Sequence, residues 1–386
     1  MSSPLTAVTP VRERVIGRIR GPLPGPMLVL VGSIHGNEPA GVNALERVTR
    51  ALGDETVSSG DLLALVGNLP ALEAGQRFID EDLNRHWSSE RLAGALATVE
   101  DRQRKDLFQN LSRGFAEARG PIVLLDLHTT SGEGTVFAVF ADTLRSRNFA
   151  RGFPVPAVLG LEEQLEGTLV DYVGSLGHVA VGLEGGQHDD PESIENLASA
   201  VWLALGKLEM LSSGARPLAA DAHRRLRRAA DEVPRIVEVT YRHALESNCG
   251  FRMEPGFRSF HPVGRGQVVA RDRSGAVRVP EDGFLLMPLY QAQGDDGFFV
   301  VRRVRPIWLR VSAILRYFRL GRFAHWLPGV SRFKDNRHIL EVDRRVARWY
   351  SLEVLHLLGF RRRSEEGSTL IVEASARLQI ERARPS

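Results

Sequence analysis

A single cysteine, Cys249, stands in the 386 residues, which excludes an intrachain disulfide and fits a reducing compartment. No uncharged apolar run is long enough to span a bilayer. The stretch Met1–Val8 lacks the charged-then-apolar order of a secretion signal. Together these features predict a cytoplasmic protein. The sequence also lacks a phosphate-loop signature, an internal repeat and a low-complexity tract, so nucleotide-driven and array architectures are not expected.

What is present is an ordinary globular composition, 43% hydrophobic and 25% charged, in a chain long enough for two domains or one large one. The net charge of +3 conceals an asymmetry. Residues 301–386 carry 19 Lys and Arg against 8 Asp and Glu, whereas the first 300 carry 31 against 39. A basic tail on an acidic body predicts either docking within the assembly, the favoured reading, or attraction to an anionic membrane surface. No recognition motif accompanies the charge, so nucleic-acid binding is not expected.

Along the chain, apolar runs alternate with helical periodicity. Strands are predicted at Val15–Ile19, Met27–Ile34, Asp61–Asn68, Pro121–His128 and Val179–Leu183. Helices are predicted at Pro39–Leu52, over 89–118 as one long surface helix, and from Asp190 to about Leu211. This alternation predicts an α/β fold, a mixed, mostly parallel sheet flanked by helices, over residues 1–212. Residues 213–234 read as a connecting segment. Short strands and Pro-Gly, Ser-Gly and Asp-Gly turns over 235–304 predict a small β domain. Residues 305–386 read as a basic, mixed α/β tail with helices at Ile307–Ala324 and Asp343–Gly359.

Chemistry concentrates at three strand ends. Leu28-Val-Leu-Val-Gly runs into His35-Gly-Asn-Glu38-Pro, Leu124-Leu-Asp126-Leu-His128 ends the next long apolar run, and Val179-Ala-Val-Gly-Leu183 ends in Glu184. Open α/β sheets place their binding crevice at the carboxyl ends of strands. A shared crevice would gather His35, Glu38 and His128 around a metal, with Glu184 facing it. Zinc accepts this donor set, although other divalent ions compete for it. Ser131 and Thr130 lack an evident base, which argues against a serine hydrolase.

The ordered motifs His35-Gly-Asn-Glu38-Pro-Ala-Gly41, Gly67-Asn68, Arg77 through Asp82-Leu-Asn84-Arg85, Asp126-Leu-His128 and Glu184-Gly-Gly resemble the succinylglutamate desuccinylase/aspartoacylase family. The likeness extends over about residues 10–210 and more loosely to 304. It implies a zinc-carboxypeptidase-like fold with one Zn2+ held by His35, Glu38 and His128. In it, Glu184 moves the water's proton, Arg77 stabilises the oxyanion, and Asn84 and Arg85 clamp a substrate carboxylate. Asp126 would lie behind a ligand imidazole and orient it. The implied activity is hydrolysis of an N-acyl amino acid or related N-acyl amine. A carboxypeptidase acting on peptides, or a catalytically silent zinc-binding protein acting through its tail, are the alternatives.

The chain departs from aspartoacylase at one point. That enzyme places a further arginine shortly before its catalytic glutamate for the second substrate carboxylate, and no Lys or Arg occurs here between Gly152 and Leu183. One recognised carboxylate and a neutral remainder are therefore expected. The β domain resembles biotinyl and lipoyl carriers, but no Lys lies between 208 and 333, so it cannot carry such a group.

Overall fold

The computed structural model describes residues 13–374 except 54–55, 142, 162, 166, 247, 319, 334–338, 344, 348–354, 356, 359 and 367–368. It begins with β1 (Val15–Arg20), β2 (Leu23–Gly32), α1 (Pro39–Ala51), β3 (Ser59–Val66), α2 (Leu69–Ala74), α3 (Ser89–Ala93) and α4 (Val99–Glu117). There follow β4 (Ile122–Thr130), β5 (Phe137–Phe140), α5 (Leu144–Ala150), β6 (Ala157–Leu159), α6 (Leu169–Ser175), β7 (Val179–Gln187), α7 (Pro191–Lys207) and α8 (Arg216–Ala229). The next strands are β8 (Ile236–Ala244), β9 (Arg252–Met253), β10 (His261–Val263), β11 (Val268–Asp272), β12 (Gly275–Arg278), β13 (Gly283–Leu286) and β14 (Asp296–Arg303). Helix α9 (Pro306–Tyr317), a 3-10 turn at Leu320–Trp326, and β15 (Val330–Arg332), β16 (Ile339–Asp343), β17 (Phe360–Glu366) and β18 (Thr369–Ala374) complete it.

An eleven-stranded mixed sheet in the order β1-β3-β2-β4-β7-β5-β6-β8-β14-β13-β10 forms the centre. Strands β3, β2, β4 and β7 are parallel neighbours. Their continuous apolar runs follow from burial on both faces. In β2, Leu28 and Leu30 enter the core beneath α1 and α7, while Met27, Val29 and Val31 enter the core beneath α4 and α6.

The strands of 235–304 continue this sheet: β8 pairs in parallel with β6, and β14, β13 and β10 follow it outward. The three-stranded sheet β12-β11-β9 stands apart from it. In the tail, β15-β16-β18-β17 form a four-stranded antiparallel sheet around its own apolar cluster.

Several elements differ from the sequence reading. The stretch taken as a connection holds α8, whose Ala222 and Leu226 are buried against α7. Alanines at helical spacing form a core stripe too small to stand out by composition. The single helix expected over 89–118 is two, because α3 ends at Gly94 and Thr98 opens α4 with a capping box to Asp101. Helix α4 is not a surface helix either: Arg104, Leu107 and Leu111 are buried. The tail helix expected to Ala324 stops at Tyr317, and most of the one expected over 343–359 lies outside the described residues. Among the described residues no helix is long and apolar enough to cross a membrane.

One buried carboxylate shapes the loop from Arg77 to Arg85. Glu100, fully buried in the first turn of α4, accepts hydrogen bonds from the backbone N–H of Ile79 (2.8 Å), Asp80 (3.0 Å) and Glu81 (3.2 Å) and from Asn68 Nδ2 (3.1 Å). Truncating it orphans several donors at once, each at about 1–3 kcal/mol. Glu100→Ala should therefore lower unfolding free energy by about 3 kcal/mol or more in urea titration. A change below about 0.5 kcal/mol would show that the loop holds its shape without it.

Candidate metal centre and its cleft

β2, β4 and β7 lie side by side, so their carboxyl ends open on one crevice. His128 and Glu184 are register partners across β4 and β7, which puts both side chains on the same face of the sheet. Past the end of β2, Ser33 adopts a left-handed φ of 54°. Its hydroxyl donates to the Glu38 carbonyl at 2.8 Å, tying the turn that starts α1. Gly36 is required there, because a Cβ would lie 2.0 Å from the carbonyl carbon of Ala71.

His35, Glu38 and His128 converge with ligand atoms within 4.8 Å of one another, all buried. Nδ1 of His35 sits 2.7 Å from Glu38 Oε1, and Nδ1 of His128 sits 3.1 Å from Glu38 Oε2. The backbone N–H of Thr129 donates to the same Oε2 at 3.0 Å. Each imidazole is backed by a second carboxylate: Asp82 Oδ1 is 3.1 Å from His35 Nε2, and Asp126 Oδ2 is 2.9 Å from His128 Nε2. That arrangement fixes ring orientation and turns Nδ1 of both rings toward the common centre. Two imidazole nitrogens and a carboxylate, with a carboxylate behind each ring, is a donor set that fits a divalent metal such as zinc.

The electrostatics agree. Burial alone would raise the Glu38 carboxyl, yet the two imidazoles hold it well below the usual carboxylate range. Burial would likewise lower His128, but Asp126 and Glu38 hold it well above the ordinary imidazole value. Asp82 is kept low against burial by Arg77 and His35. Glu184 goes the other way. Burial pushes its carboxyl up to about 8, Glu38 and Asp126 add to this, and His128 and Arg77 oppose it. Its Oε2 is buried without a hydrogen-bond partner.

The arginine loop closes one side of the cleft. Arg77 Nη2 donates to Asp82 Oδ2 at 2.9 Å, with Nη1 3.6 Å from Glu38 Oε1. Asn84 lines the cleft, and its Oδ1 accepts the Leu169 N–H at 2.9 Å at the start of α6. Arg85 also lines it, but its guanidinium is shared with Asp296 on β14 (3.3 Å) and comes within 4.0 Å of Asp82. Every predicted site residue except Asp126, which lies behind His128, lines the same cleft.

Three participants were not singled out from the sequence. Asp82 lay inside a quoted motif, and its spacing of five from Arg77 was the available signal. Asp296 gave none, being 211 residues from Arg85. The Oε1 of Gln291 accepts from Asn37 Nδ2 at 2.6 Å and lies 3.0 Å from His188 Nε2.

An acid whose folded pKa exceeds its unfolded value keeps its proton in the native state after the unfolded chain has released one. Its contribution therefore falls as pH rises from about 4.5 to about 8, the two values for Glu184. In metal-free protein, urea unfolding should show wild type losing more stability than Glu184→Gln across that window. Parallel profiles for the two proteins would contradict the raised value.

Residues 24–201 match the succinylglutamate desuccinylase/aspartoacylase catalytic domain. The chain is 35% identical over 106 residues to a succinylglutamate desuccinylase of Shewanella pealeana, covering 26% of this chain and 31% of that one. It is 33% identical over 106 residues to a probable aspartoacylase of a Nostoc species, covering 27% and 35%. These matches thus span about a third of the relatives' own length. The fold is similar to a crystal structure of a succinylglutamate desuccinylase/aspartoacylase from Rhodobacter sphaeroides, with TM-score 0.55 and 16% identity, over 75% of this chain and 88% of that one.

Proposed function

We propose, on the premise that this chain belongs through residues 24–201 to the succinylglutamate desuccinylase/aspartoacylase family, that it hydrolyses the amide bond of an N-acyl amino acid. The observation that carries this reading is the in-register placement of Glu184 beside His128, next to the buried His35, Glu38 and His128 cluster. His35, Glu38 and His128 would hold one zinc ion per chain. A bound zinc ion supplies Lewis acidity to the scissile carbonyl and lowers the pKa of a water toward ~7.

The chain's own groups do the rest. Glu184, with an unpartnered oxygen in the cleft, accepts the proton of the attacking water and passes it to the leaving amine. Arg77 stays cationic, and Asp82 aims it along the metal cluster, where it stabilises the negative charge that develops on the carbonyl oxygen. Arg85 and Asn84 bind the carboxylate of the amino-acid moiety, a task suited to a planar guanidinium. Asp126 and Asp82 hold the two imidazoles in place.

The test pairs metal content with amine release. Wild type and Glu184→Gln should both retain zinc, measured by elemental analysis, while the variant loses hydrolysis of N-acyl amino acids by about 10²–10⁴-fold. His128→Ala should lose zinc as well as activity. Undiminished turnover in Glu184→Gln would remove the assigned proton carrier. Activity confined to peptides would make the protein a carboxypeptidase.

A further inference from the structure

Part of the cleft lining, on elements that also touch the arginine loop through Asn84 and Arg85, is apolar. Val139 and Phe140 come from β5, Leu161 and Leu165 from the segment before α6, Val170 from α6 and Phe299 from β14. Phe140, Leu161, Val170 and Phe299 are buried; Val139 and Leu165 are partly so. In the sheet, Val139 is the register partner of Gly182. Gly182 also lies opposite Asp126 on the other side, one register step pair back from His128 and Glu184. The absence of a side chain at 182 thus lets Val139 pack directly over β7, two residues before Glu184, so that hydrocarbon reaches the edge of the cluster. A Cβ there would meet Val139 Cγ2 at 2.7 Å and Val170 Cγ2 at 3.7 Å.

The charges on the rest of the lining point the same way. Among the described lining residues the cations other than histidine are Arg77 and Arg85, and both already face carboxylates. The lining also holds the carboxylates Asp171, Asp295 and Asp296. Asp171 accepts the Thr168 hydroxyl at 2.7 Å, and Asp296 lies between Arg85 and Arg242. A second substrate carboxylate would meet hydrocarbon and further carboxylates, with no additional cation to offset its desolvation.

We infer that this cleft selects N-acyl amino acids carrying a single carboxylate and an uncharged, apolar remainder, and that Val139, Leu165, Val170 and Phe299 set that selectivity. The inference rests on the deacylase reading above for its reaction, but not for its ligand preference. The apolar group can enter as the amino-acid side chain or as the acyl chain, and separate substrates distinguish the two.

Initial rates with zinc-loaded full-length protein would be compared for N-acetylleucine (apolar side chain), N-hexanoylglycine (apolar acyl chain), N-acetylaspartate, N-succinylglutamate and N-acetyllysine. At least one of the first two should exceed the other three by about tenfold or more in kcat/KM, the discrimination expected of a methylene-lined pocket. Leu165→Arg, which sets a cation on the partly exposed part of the wall, should shift that ratio at least about tenfold toward N-acetylaspartate.

Calorimetric binding of the same five compounds to zinc-loaded Glu184→Gln gives a readout without turnover and should rank them alike. Apolar-first binding with no hydrolysis of any compound would sustain the inference and sink the deacylase reading. Hydrolysis with N-acetylaspartate, N-succinylglutamate or N-acetyllysine preferred would do the reverse.

Discussion

A row of alternating charges holds the cleft together. It starts at Glu38, whose Oε1 lies 3.6 Å from Arg77, and passes to Asp82 at 2.9 Å. From Asp82 it reaches Arg85 at 4.0 Å, Asp296 at 3.3 Å and finally Arg242. Glu38, Asp82 and Asp296 come from three separate parts of the sequence, and removing any one would leave a neighbour charged and half-desolvated. Breaking a buried pair costs about 3–5 kcal/mol because of the partner left behind. The row therefore works as an assembly condition. The turn after β2, the arginine loop and strands β8 and β14 are electrostatically satisfied only when all are in place.

The same logic explains why the centre of the site carries excess negative charge. His128 stands between Glu38 and Asp126, and His35 between Glu38 and Asp82. In the protein alone, that surplus holds the His128 pKa well above its ordinary value against burial, which favours a proton on the ring. A divalent cation meets the same need better, since metal ligation requires a neutral imidazole and a deprotonated carboxylate. Uptake of metal would displace that proton, which makes affinity fall with decreasing pH. Glu184, raised by burial beside the same carboxylates, gains a lower pKa from any cation added there, because the like charges that raise it are then compensated.

The sequence showed this chemistry where geometry is local. His35 and Glu38 share one turn, and His128 and Glu184 each end an apolar run, so strand periodicity alone gathers them at one sheet edge. It was silent where partners come from afar. Asp296 reaches Arg85 across 211 positions, and Glu100 organises the arginine loop from within a helix whose polar pattern reads as solvent-facing. Helix α8 leaves little trace in the sequence because Ala222 buries too little surface to mark a face, and the break before α4 rests on the Thr98 capping box inside one long polar stretch. The strands after Arg235 read as a separate unit since their turns resemble a small β fold. Only pairing in space shows β8 joining β6 and extending the central sheet.

That extension divides the labour of the cleft. The cluster His35, Glu38 and His128, together with Arg77, Arg85 and Glu184, lies wholly within residues 24–201, the part matched to the family's catalytic domain. Asp296, Gln291, Phe299 and Leu289, which also line the cleft, lie beyond it on the loop before β14 and on β14 itself. Gln291 bridges Asn37 and His188, and Gln293 accepts the Arg77 backbone N–H at 3.1 Å, so this loop is tied both to the turn after β2 and to the arginine loop. His128 and Glu184 thus sit on the parallel strands β4 and β7, while His35 and Glu38 follow the end of β2 and Arg77 and Arg85 lie on the loop after α2. Of the apolar lining, Val139, Leu165 and Val170 lie within residues 24–201 and Phe299 lies on the antiparallel β14 beyond them. Strand β14 and the loop before it reach the cluster through a few side-chain hydrogen bonds and the Arg85–Asp296 ion pair, which belongs to the same row of charges as Glu38 and Asp82. The cleft lining is therefore shared between residues 24–201 and β14 with its preceding loop.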